Sequence, residues 1–179
     1  LLYSIDNYGN IQKTPFAFNA KMTRITRAYL KLRERITPYL YTLTRAAQDG
    51  MPIVRPLFLS FPHEKVNYTN QVKHEFMLGN NLLVVPITNG REDPSGASLK
   101  DNLYLPDHRT MWIDLFTGKK LIGGRIYDKL HYPLWHLPVY VRGGAILQES
   151  LRSALVYPQN KSSAILYEDD NQTNDYEKG

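Results

Sequence analysis

The sequence predicts a mixed fold: a long kinked helix and a strand in the order an α/β barrel repeats, then an antiparallel β-sandwich, then the opening strands of a second β-unit. Three observations carry this expectation. Met22, Ile25, Tyr29, Leu32, Ile36, Leu40 and Leu43 recur at steps of three and four, which marks a helix with one apolar stripe. The run PIVRPLFLSFP, residues 52–62, follows directly and is fenced by prolines; a buried strand after a helix is the repeating unit of α/β barrels. From residue 82 to residue 148 the helical stripe is gone, and short β-prone runs return at roughly the 8–12-residue spacing of a β-sandwich.

The helix is expected to start near Asn19, whose side chain can accept from the free amides of the first turn, and to stop at Asp49-Gly50. Pro38 falls inside it. Proline lacks a backbone donor and clashes with the preceding turn, so a kink or two abutting helices should meet near Thr37. Tyr39, Leu40, Tyr41 and Leu43 keep the second half apolar on more than one face, as in a helix covered by other structure.

After the proline-fenced run, LLVVPI at 82–87 reads as another buried strand, entered through the turn Gly79-Asn80-Asn81. The β-prone runs that follow are NLYLP, MWIDLF, KLIG, RIYD, PLWHLPVYVR and AILQ, with a polar surface loop expected over 89–100. A linker near Glu149 to Ser153 precedes ALVYP and SAILYED. The resulting division is 1–81 for the helix and strand, 82–150 for the sandwich and 151–179 for the start of a distal β-domain.

Composition narrows the function classes. The chain has 179 residues, 42% hydrophobic and 22% charged, enough for a folded core. It opens on Leu1 within the apolar run LLYSID, and is read as a piece of something larger. No run approaches the ~18 apolar residues of a membrane helix, and the first residues lack a signal-peptide layout. Zero cysteines exclude disulfides, thiolate metal sites and cysteine nucleophiles. The net charge of +5 gathers at Lys21, Arg24, Arg27, Lys31, Arg33 and Arg35; these lie opposite the apolar stripe, so a solvated helix face is expected rather than a nucleic-acid surface.

Five phrases, in order, resemble glycoside hydrolase family 31, which contains α-glucosidases, α-xylosidases and transglucosylases. LRERITPYLYTLTRAAQDGMPIVRPLFLSFP is similar to the last helix and strand of the family's (β/α)8 barrel, and EFMLGNNLLVVPI to its join with the first C-terminal domain. NLYLPDHRTMWIDLFTGKKLIGG and PLWHLPVYVRGGAIL resemble that β-sandwich, and ILYEDDNQTNDYEKG the start of a distal β-domain. The resemblance implies a retaining mechanism on α-linked sugars, with an aspartate nucleophile and an aspartate acid/base about 5 Å apart. It places both on barrel strands preceding Leu1, so no catalytic carboxylate is expected in this chain; the partners would be a carbohydrate substrate and the upstream barrel.

Near the start, where many family members carry an arginine and a histidine in the sugar subsite, this chain reads Tyr3-Ser4-Ile5-Asp6-Asn7-Tyr8. It resembles a transglucosylase-containing branch with an aspartate followed by an aromatic. That implies a substrate-binding role for Asp6, accepting from sugar hydroxyls, and for Tyr8, offering a ring face. The alternative is that Asp6 opens a polar turn.

The other constellations favour structure over chemistry. Glu168, Asp169 and Asp170 are sequence neighbours at a strand end and point in different directions, unlike the paired carboxylates of a glycosidase. Asp169, Asn171, Thr173 and Asp175 alternate, as calcium ligands do, but lack the central glycine and distal glutamate of an EF-hand; a polar hairpin turn is the favoured reading. No cofactor is expected, and the scattered histidines make no zinc motif. Trp112, Trp135, Tyr104, Tyr127, Tyr132 and Tyr140 could form a sugar-stacking platform, with core packing the commoner fate. Arg55, inside an apolar run, requires an ion pair or carbonyl contacts. The glycines of IGGR and VRGGAI are turns, since no phosphate-loop Lys-Ser/Thr follows. The rival to the glycosidase reading is a non-catalytic carbohydrate-binding or structural β-module.

Overall fold

The computed structural model describes residues 14–147, which fall into two compact units, 14–42 and 43–147. The first is helical. A single turn, α1 (Pro15–Phe18), is followed by α2 (Ala20–Arg35), and α3 (Thr37–Ala47) continues across the division. Asn19 caps α2 as expected, with its Oδ1 accepting the Met22 amide at 2.9 Å. The break falls at Ile36, which leaves helical geometry so that Pro38 sits in the first turn of α3, where its missing donor costs nothing. The apolar stripe is half-buried along α2 and fully buried at Ile36, Tyr39 and Leu43, while Lys21, Arg24, Arg27, Lys31 and Arg33 are exposed.

The second unit is mostly antiparallel β-sheet. Its strands are β1 (Val54–Pro56), β2 (Phe76–Leu78), β3 (Leu82–Val84), β4 (Ser98–Lys100), β5 (Leu103–Leu105), β6 (Met111–Asp114), β7 (Lys120–Ile122), β8 (Arg125–Tyr127), β9 (Leu130–Tyr132) and β10 (Val139–Arg142). The helical turn α4 (Leu57–Ser60) follows β1. A six-stranded sheet runs β1-β2-β3-β10-β6-β7, and two ribbons pair β4 with β9 and β5 with β8. Leu83, Met77, Trp112 and Tyr140 of the large sheet share one apolar cluster with Leu103, Tyr104, Leu105 and Tyr132 of the ribbons. This is the sandwich core.

Two expectations about elements are corrected. The run at 52–62 is not a buried strand: only Val54–Pro56 is extended, Val54 is 55% exposed, and Leu57–Ser60 turns helical. Proline cannot donate to a ladder, so Pro56 confines the segment to the sheet edge. β1 pairs antiparallel with β2, Arg55 opposite Met77, and the β2–β3 hairpin pairs Phe76 with Val84 across residue 81. β1, β2 and β3 are therefore consecutive strands of one sheet. Within the expected loop 89–100, Ser98–Lys100 forms β4, paired with β9 through Leu99 opposite His131.

Candidate functional site

The buried and half-buried carboxylates of the β-unit hold the fold's own polar groups. Glu64 clamps three groups: Oε1 accepts the Asp107 amide at 2.7 Å, and Oε2 accepts the Tyr104 hydroxyl at 3.0 Å and the Asn67 side-chain amide at 3.2 Å. Burial and then the Glu64 carboxylate push the Tyr104 phenol up, so it stays a donor. Asp107 accepts the Thr110 hydroxyl at 2.7 Å and the Arg109 amide at 3.1 Å; the Thr110 bond leads in holding its carboxyl below the usual range.

Glu75 is 3% exposed, and burial pushes its carboxyl up to about 8, against the Tyr104 amide at 3.1 Å and the Lys100 ammonium at 3.9 Å. Its Oε2 has no partner. Asp114 ends β6. Burial works to raise its carboxyl, but the His136 ring nitrogen at 2.9 Å and the Thr117 amide at 2.8 Å outweigh burial and hold it low.

Of the aromatics considered for sugar stacking, Trp112, Tyr104, Tyr132 and Tyr140 are core. Trp112 donates its indole N–H to the Pro106 carbonyl at 2.7 Å, and the hydroxyls of Tyr132 and Tyr140 meet at 2.6 Å. Tyr127 binds the backbone of Ile122 through its hydroxyl. Trp135 differs: it is 44% exposed and stacks on His136 with ring centroids 5.0 Å apart.

Arg55 does what an arginine in an apolar run must. It is 7% exposed, its Nε donates to the Pro52 carbonyl at 2.6 Å, and an Nη donates to the Asn80 side-chain oxygen. It also borders a cleft of ≈ 200 Å³ together with Ser60, Asn80, Arg142, Met51, Leu59, Phe61 and Met77. Arg142 lies over the Phe61 ring, 5.8 Å from its centroid, and pairs with Asp107 at 3.4 Å. Sequence reading singled out Arg55 but not Ser60, Asn80 or Arg142. They come from α4, the β2–β3 turn and the end of β10, which only tertiary folding brings together.

Asp6, Tyr8 and the Asp169, Asn171, Thr173 and Asp175 loop lie outside the described residues. Among the described residues no group of three or more His, Asp or Glu could hold a metal ion, and no helix is long and apolar enough to cross a membrane.

Comparison with known proteins supplies the context. Alpha-glucosidase 2 of Bacillus thermoamyloliquefaciens is 33% identical to this chain, over 94% of it and 22% of the relative. Alpha-xylosidase of Saccharolobus solfataricus is 32% identical over 93% and 23%. The chain thus spans about a fifth of the length of these curated relatives. Among solved structures, the Flavobacterium johnsoniae GH31 dextranase complexed with glucose superposes with a TM-score of 0.73 at 30% identity, covering 95% of this chain and 22% of that one. The profile described as "Glycosyl hydrolase family 31 C-terminal domain" matches residues 50–147, the stretch that holds the β-sheets and the cleft. On the profile, the relatives and the phrases in family order together, this chain belongs to glycosyl hydrolase family 31.

Proposed function

We propose that the chain is the C-terminal part of a retaining α-glycosidase or α-transglycosylase acting on α-linked glycosides. In this reading α2 and α3 complete the wall of a (β/α)8 barrel and the β-unit buttresses it. Two carboxylates on barrel strands outside this chain carry out the displacement, about 5 Å apart as retention requires. Asp6 and Tyr8 bind the sugar, the first through its hydroxyls and the second through ring contact, and residues 151–179 open a distal β-domain.

The observation that carries the reading is the commitment of Glu64, Glu75, Asp107 and Asp114 to amides, hydroxyls and side chains of their own unit. A glycosidase instead needs two carboxyls facing each other across an open subsite. The test uses the full-length protein and nitrophenyl α-glycosides. Glu75→Gln and Asp114→Asn should retain turnover at a temperature where they stay folded. Abolished turnover in either variant, with wild-type melting, would sink the proposal.

Exposure of Trp135 favours a second reading, a carbohydrate-binding β-module, because an aromatic face suits the C–H face of a pyranose. Glycan binding that disappears in Trp135→Ala while hydrolysis is absent from the full-length protein would select it.

A further inference from the structure

The Arg55 guanidinium has no described anion. It is 7% exposed, and its partners, the Pro52 carbonyl and the Asn80 amide oxygen, are both neutral. An uncompensated buried cation is costly, and two acceptors use only part of a five-donor fork. In the same cleft stand the guanidinium of Arg142 and the hydroxyl of Ser60, whose Oγ is enclosed without a partner. The lining therefore concentrates donors, with no carboxylate among its residues; Arg142 shares its charge with Asp107 at 3.4 Å, and Arg55 has no such partner described.

We infer that this cleft is a binding site for a small aliphatic carboxylate, held by Arg55, Arg142 and Ser60 with its carbon chain against Met51 and Leu59. Its size fits: at ≈ 200 Å³ it exceeds by several-fold the ~30 Å³ that one water occupies in the liquid, leaving room for an anion of a few heavy atoms. Its chemistry selects within the anions. The planar fork of arginine matches a carboxylate in two parallel hydrogen bonds, and the exposed side chains of Met51 and Leu59 offer an alkyl tail apolar surface to cover, which a phosphate would leave unused. The readout is carboxylate binding and not turnover, so its failure and that of the glycosidase reading are distinguishable.

The probe is sodium propionate, titrated into the full-length protein against sodium chloride at matched ionic strength, with melting temperature and calorimetry as readouts. Propionate should raise the melting temperature saturably above the chloride control, and sodium phosphate should not. Arg142→Gln, on the half-exposed wall, and Ser60→Ala should each weaken propionate binding by about tenfold, the worth of one charge-assisted hydrogen bond. Arg55→Lys keeps the charge but loses the fork and should weaken it further; if that variant fails to fold, the other two still decide. The inference is overturned if propionate matches chloride in the unaltered protein, if phosphate stabilises as strongly as propionate, or if binding survives unchanged in both Arg142→Gln and Ser60→Ala.

Discussion

The Glu75 carboxylate and the Lys100 ammonium lie 3.9 Å apart, and their attraction does not offset the burial of the acid. The carboxyl is pushed up to about 8 from 4.5, so the folded protein holds this proton through a pH range where the unfolded chain has released it. The folded state then binds more protons than the unfolded one, and stability falls as pH rises. Unfolding by urea should show this loss between about pH 4.5 and 8 and a plateau above. Glu75→Gln keeps an oxygen for the Tyr104 amide and should flatten the slope, giving a variant more stable than the parent at pH 8. A parent profile that climbs through this window would contradict the assignment.

Asp114 titrates in the opposite sense. Its carboxyl is held low despite burial, so the stability it contributes is complete above the ordinary aspartate range and lost as pH falls through its folded value. His136→Ala removes the partner at 2.9 Å and leaves a buried carboxylate. The expected cost is about 3 kcal/mol at pH 7, smaller at pH 3, measured by denaturant unfolding at both.

Gly123 is required by proximity. A Cβ there would stand 2.2 Å from the backbone oxygens of both Pro106 and Asp107, whereas one at Gly118 would meet open space. Gly123→Ala must move backbone and should cost about 3 kcal/mol. Gly118→Ala carries only the penalty of a left-handed residue, φ +71°, about 1 kcal/mol. Equal melting temperatures for the two variants would refute the distinction.

At the start of α2, Asn19→Ala removes the acceptor of the Met22 amide and should cost about 1 kcal/mol. Because the cap is local, hydrogen exchange should quicken at the first-turn amides of α2 with little change in the β-unit.

Helices were the most legible part of the fold. The stripe from Met22 to Leu43, the Asn19 cap and the break before Pro38 all depend on residues within one or two turns of each other. Strand spacing was legible in the same way: LLVVPI, NLYLP, MWIDLF, KLIG, RIYD and the VYVR segment each contain an observed strand. Strands β2, β4 and β9 went unread: Ser98 and Lys100 in β4 and His131 in β9 break any apolar run, and Phe76–Leu78 is an isolated apolar triplet between Glu75 and Gly79. The cleft was legible only at Arg55, because a charge inside an apolar run announces itself while a serine ending a helical turn, an asparagine in a hairpin turn and an arginine at a strand end do not.

By itself the sequence determined the periodicities, the caps and turns, the two-part texture of helix then sheet, and the family. Tertiary structure decided strand order, with β10 inserted between β3 and β6, and placed the 52–62 run at a sheet edge. It also decided which polar residues meet: Glu64 with Asp107, Asp114 with His136, Arg55 with Asn80. The reason is range. Helix and turn preferences are set by neighbours along the chain, whereas strand pairing and the burial of charge depend on residues tens of positions apart, whose contact is decided by packing one shared core.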